Sequence, residues 1–112
     1  MFIVVHRTDV FEIQEIFGEI VASLLSSDIL SPNTKVTRST IDIGDIRIDF
    51  RCSDMFKMAG LRPDYFNTDS EEVAHFLQLM ADKVNGKEIK DISEIINMIK
   101  GAKYGNSRSN TL

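Results

Sequence analysis

The spacing of hydrophobic positions changes several times along this chain, and each change marks an element. Phe2, Ile3, Val4 and Val5 are apolar on both alternating faces and rich in β-branched residues, the pattern of a strand in the interior of a sheet. From Val10 the period becomes helical. Val10, Ile13, Ile16, Phe17, Ile20, Val21, Leu24 and Leu25 share one stripe, opened by the capping pair Asp9 and Glu12. Gly18 inside this helix costs about 1 kcal/mol relative to alanine, which a close neighbour against that face would explain.

Ser31, Pro32 and Asn33 break the chain, and a period of two follows. Ile41 and Ile43 alternate with polar residues up to Gly44-Asp45, a two-residue turn, after which Ile46, Ile48, Phe50 and Cys52 face the core and Arg47, Asp49 and Arg51 face out. That loop length sets Asp42 opposite Arg47 and Arg38 opposite Arg51. Gly60 and Pro63 punctuate a loop, and Tyr65-Phe66 forms a short strand. Asp69 with Glu72 opens a helix carrying Val73, Phe76, Leu77, Met80, Ala81 and Val84, ended by Gly86. Asp91 with Glu94 opens another through Ile92, Ile95, Ile96 and Ile99, stopped by Gly101.

The order β-α-β-β-β-α-α predicts one α/β or α+β domain over residues 1–101, with a mixed sheet of about four strands and three helices. Residues 102–112 lack periodicity and are expected as a disordered tail. If the first strand and a later one are parallel, a right-handed crossover puts the first helix on one face and leaves the other for a C-terminal helix.

Length and composition narrow the function. A chain of 112 residues with 43% hydrophobic and 27% charged positions is a single globular unit. No apolar run approaches the roughly 20 residues that span a bilayer and no leader follows Met1, so a cytoplasmic location is expected, the host's if phage-encoded. One cysteine, Cys52, makes neither an internal disulfide nor a multi-cysteine zinc site, and it reads as a small packed hydrophobe. The net charge is -4, but its distribution is uneven. Residues 1–34 hold one basic and five acidic residues, whereas 35–62 hold six basic and four acidic. The electropositive middle makes Arg38, Arg47, Arg51, Lys57 and Arg62 a candidate nucleic-acid or anion-binding set, against the plainer reading that Asp42 and Asp49 neutralise it.

Nothing matches a phosphate-binding loop or a dinucleotide fingerprint. His6 and His75 are far apart, neither has a second histidine within a helical turn, and no metal or cofactor is expected. A set of Cys52, a histidine and an aspartate has no spacing that brings it together. The turn His6-Arg7-Thr8 joins a buried strand to a helix N-terminus, where free amides and the helix dipole favour an anion.

Three stretches together resemble part of the ATPase core of phage terminase large subunits, the motors that package DNA. Phe2-Ile3-Val4-Val5-His6-Arg7-Thr8 with the helix from Val10 to Leu25, the hairpin Ile41 to Phe50, and the loop Met58 to Asp64 are similar to that family over residues 2–72. Asp69 stands where the family's metal-binding acid stands, Ser70 takes the place of the catalytic glutamate, and the Walker A strand and loop are missing. The resemblance implies a phage or prophage product with a sheet related to a motor core, used for binding and not for ATP hydrolysis.

The leading expectation is a small non-enzymatic interaction protein, accessory to packaging, that binds a protein or itself through an open sheet face or an uncovered edge of the first strand. A nucleic-acid-binding accessory using the basic hairpin is the alternative. A nucleotide-responsive regulator using Arg7, Thr8 and Asp69 ranks third.

Overall fold

The computed structural model describes residues 1–27, 34–52, 62–80 and 87–111. The described residues form a six-stranded mixed sheet with three helices. The elements are β1 (Phe2–His6), α1 (Val10–Ser26), β2 (Lys35–Val36), β3 (Thr40–Ile43), β4 (Ile46–Arg51), β5 (Tyr65–Thr68), α2 (Glu71–Met80), β6 (Lys87–Glu88) and α3 (Ile92–Thr111). Across the sheet the order is β2-β3-β4-β1-β5-β6. Of the expected α/β or α+β arrangements the chain adopts α+β, with the expected mixed sheet and three helices and with six strands in place of about four. The additions, β2 and β6, are two residues each and lie at the two edges.

β1 occupies the middle, parallel to β4 on one side and to β5 on the other. Its run of apolar residues is a consequence, because Ile3, Val4 and Val5 are all fully buried, alternately against opposite faces. Ile3 and Val5 join α1 and α3 in the larger core with Ile20, Leu24, Ile95 and Ile99. Val4 points the other way and packs with Phe66, Val73 and Leu77 beneath α2. Both faces are therefore covered, and β1 offers no free edge to a partner chain.

Local chemistry explains the boundaries. Asp9 caps α1, its Oδ1 accepting from the Phe11 amide at 2.9 Å, and Asp91 does the same for α3 through Ser93 at 3.0 Å. For α2 the cap is Ser70 instead of Asp69, with the Val73 amide donating to Ser70 Oγ at 3.3 Å. The hairpin has the expected register, Asp42 facing Arg47 and Ile43 facing Ile46, around Gly44 at φ +56°. The ladder stops at Thr40 and Asp49, so Arg38 and Arg51 are not paired across it.

Several other expectations are corrected. Val10 and Leu25 are exposed, because they lie at the margins of the α1 stripe beyond the reach of the sheet. Cys52 is exposed, since the β4 ladder ends at Arg51 and the chain leaves the sheet there. Asp49 is buried at 7% exposure instead of facing solvent. Gly101 does not stop α3, whose backbone continues to Thr111 through the segment expected as a tail. A glycine ends a helix by adopting a left-handed conformation, and Gly101 keeps a negative φ. The breaks at Ser31-Pro32-Asn33, Gly60 and Gly86 lie outside the described residues. No helix among the described residues is long and apolar enough to cross a membrane.

Candidate functional site

In open sheets with parallel strands, ligands gather where the connections from two adjacent strands leave towards opposite faces. Here that point lies between β1, followed by α1 on one face, and β5, followed by α2 on the other. The residues that converge there are His6, Thr8, Thr68 and Asp69. His6 Nδ1 lies 2.9 Å from Thr68 Oγ1. Asp69 receives two hydrogen bonds from Thr8, from the amide to Oδ1 at 3.3 Å and from the hydroxyl to Oδ2 at 3.1 Å. The exposed Cys52 thiol donates to the Thr8 carbonyl at 3.6 Å.

The turn His6-Arg7-Thr8 is thus where an anion was expected, but its donors are engaged. The Thr8 amide is held by Asp69 and the Phe11 amide by Asp9. Arg7 turns back, its Nη1 donating to the His6 carbonyl at 2.7 Å, while its own amide donates to the Arg51 carbonyl at 3.0 Å. Two carboxylates, those of Asp69 and Asp9, thus accept from the amides of this turn and of the helix start. A neighbouring cleft of about 270 Å³ is lined by Thr68, Asp69, Ser70, Glu71, Glu88 and Lys90, with Lys90 Nζ 3.0 Å from Glu88. Among the described residues no three His, Cys, Asp or Glu side chains converge to hold a metal, and His75 sits exposed on α2.

The basic candidates are divided. Arg47 and Arg62 belong to the end of the sheet where β1 starts, since the Arg47 amide donates to the Met1 carbonyl and the Asp64 amide to the Phe2 carbonyl. Arg51 belongs to the opposite end, and its guanidinium grips Asp49 Oδ2 through Nη2 at 2.9 Å and Nε at 3.2 Å. Arg47 Nε stands 4.0 Å from Asp42. Arg38 lies over the α1 side, beside Phe17, Phe50 and Cys52 at a groove of about 180 Å³. Lys57 lies outside the described residues. Each arginine on the hairpin face therefore has its own aspartate, which weakens the field a polyanion would meet.

The outer face of α1 carries two large apolar side chains in water. Phe11 is 72% exposed and Leu25 is 60% exposed. Phe11 stands roughly half a turn around the axis from the fully buried Ile20. Between Phe11 and Leu25, on the same side, lie Gly18 and Ala22, both exposed. A Cβ placed on Gly18 would meet nothing within 4 Å, so no neighbour among the described residues accounts for the glycine. The pattern was present in the sequence as Phe11, Gly18 and Leu25 at intervals of seven, hidden behind the stronger buried stripe.

No family model, curated protein or solved structure matches this chain.

Proposed function

We propose that the protein is a non-enzymatic interaction module that docks a protein partner on the outer face of α1, in the phage DNA-packaging setting that the resemblance of residues 2–72 implies. The observation that carries this reading is the pair Phe11 and Leu25, large apolar side chains held in water on a helix whose opposite face is fully engaged. A solvent-exposed phenylalanine is unremarkable alone, but a second apolar row along a helix that already has one is the pattern of a binding face. Two further features agree. Thr8 occupies the Asp69 carboxylate, and the arginines of the hairpin are paired with aspartates. The first would have to be undone for nucleotide chemistry and the second for broad nucleic-acid binding.

The test is a photo-crosslinking residue installed at Gln14, exposed beside the proposed face, with a control at Gln78, exposed on α2. In cells that express the protein, Gln14 should give a discrete crosslinked protein that Gln78 does not, and Phe11→Asp should abolish it. Absence of any such species, or equal labelling from both sites, would defeat the proposal.

A further inference from the structure

The exposed row on α1 follows a finer rule than simple apolarity. Phe11, Glu15, Gly18, Ala22 and Leu25 are spaced four, three, four and three residues apart, the seam spacing of a helix that packs against another helix. All five are exposed. The seam spans about 21 Å of the helix at 1.5 Å per residue. At its centre, between Phe11 and Leu25, Gly18 and Ala22 carry almost no side chain and the space at Gly18 is open, the room that a bulky side chain of a facing helix needs. Glu12 and Glu19, seven residues and so about two turns apart, occupy the same position next to the seam, and Glu15 lies within it. α1 contains no lysine or arginine at all.

The same charges identify the partner. If a second copy packed its seam in parallel, Glu15 would be set against Glu15. If it packed antiparallel, Glu12 and Glu19 would face the same glutamates of the other copy. Either arrangement brings like charges together in a site that excludes water, which is destabilising. We infer that the occupant of the α1 seam is a basic amphipathic helix of another protein. That helix carries a large apolar residue to fill the space over Gly18 and Ala22, and lysine or arginine opposite Glu12, Glu15 and Glu19. The inference rests on reading the outer face of α1 as a docking surface and adds the chemistry of what docks there.

The seam accounts for two features that the isolated fold leaves without a cause. Gly18 weakens the helix by removing a side chain where no described residue needs the room, and a partner side chain needs that room. The glutamates keep the apolar row from closing on a copy of itself.

The test uses the full chain and labelled helical peptides of common design, with leucine at the seam positions and flanks made of lysine, glutamate or glutamine. Binding is read by fluorescence anisotropy. The lysine-flanked peptide should bind at least about tenfold more tightly than the glutamine-flanked one, and the glutamate-flanked peptide should not bind. The affinity of the lysine-flanked peptide should fall as salt rises. Gly18→Leu fills that space and also favours the helix, so it should raise the melting temperature while weakening the lysine peptide by about tenfold or more. Phe11→Asp should do the same to binding with little change in melting.

Equal binding by the lysine and glutamine peptides would overturn the inference, as would unchanged affinity in Gly18→Leu and Phe11→Asp. A concentration-dependent dimer in sedimentation would also overturn it and give the seam to a second copy. A partner crosslinked through Gln14 whose contact segment is not a basic helix would leave the interaction module standing and remove this inference alone.

Discussion

Thr8 and Asp69 are 61 positions apart and form a two-point latch, the threonine amide and hydroxyl donating to the two oxygens of one carboxylate. The latch ties the loop that leaves β1 to the loop that leaves β5, so the two central strands are joined at their ends as well as along their ladder. It also withdraws Asp69 from capping α2, and Ser70 caps that helix in its place. Thr8→Ala should cost about 1 kcal/mol, the net value of an ordinary hydrogen bond, and Asp69→Ala somewhat more because it frees the Thr8 amide as well. A double-mutant cycle in urea unfolding should return a coupling of about 0.5–1.5 kcal/mol. Additivity of the two substitutions would show that the latch is only a surface contact.

Asn67 is a second polar residue that holds two elements together. Its Nδ2 donates to the Ile89 carbonyl at 2.6 Å, while its Oδ1 is buried without a partner among the described residues. The side chain is only 2% exposed. Asn67→Ala should therefore destabilise by about 1–3 kcal/mol, since the Ile89 carbonyl loses its donor. Asn67→Asp gives a sharper signature. Burial disfavours the charged carboxyl, so the folded state binds a proton more tightly than the unfolded chain does. The variant should then approach the parent below about pH 4, the ordinary range of an aspartate. It should lose stability as pH rises above that, until the folded carboxyl has ionised. Thermal melts at several pH values read this directly, and a difference from the parent that is flat with pH would contradict it.

These two contacts mark what the amino-acid order could not convey. Elements with a local cause were legible. The α1 stripe follows from its period, the caps Asp9 and Asp91 from their position before an apolar run, and the facing of Asp42 and Arg47 from the length of the Gly44-Asp45 loop. The edge strands were not, because Lys35–Val36 and Lys87–Glu88 are too short to carry any period and exist only as partners of β3 and β5. The Thr8–Asp69 and Asn67–Ile89 contacts depend on which strands become neighbours, and propensity is silent on that. Asp49 was assigned to the solvent face because alternation gives the side of the sheet a residue occupies and not what covers it. The apolar row on α1 was visible only as a residue pattern, since exposure is a property of the assembled layers.

Gly44 tests the local part of that reading. Its φ of +56° lies in the left-handed region, and the space around its missing Cβ is open. The strain of a side chain is therefore conformational and not steric contact with neighbours. Gly44→Ala should cost about 1–2 kcal/mol, and Gly44→Asn distinctly less, because asparagine tolerates this conformation. Equal losses in the two variants by chemical denaturation would mean that the turn does not hold the conformation described.

Phe17 and Phe50 meet edge to face, with ring centroids 5.0 Å apart and planes at 84°. The pair joins α1 to β4 next to the groove that Arg38 and Cys52 border. This geometry points the positive edge of one ring at the negative face of the other, an attraction that leucine at either position removes while keeping most of the apolar volume. The cycle Phe17→Leu, Phe50→Leu and the double variant should give a coupling of about 0.5–1.5 kcal/mol beyond the loss of buried area. Phe11→Leu, on the exposed face of the same helix, should stay within about 0.5 kcal/mol of the parent. That contrast separates the two apolar faces of α1 by energy, one built into the fold and the other left in water. A loss at Phe11 as large as at Phe17 would place Phe11 in the core and remove the ground for a docking face.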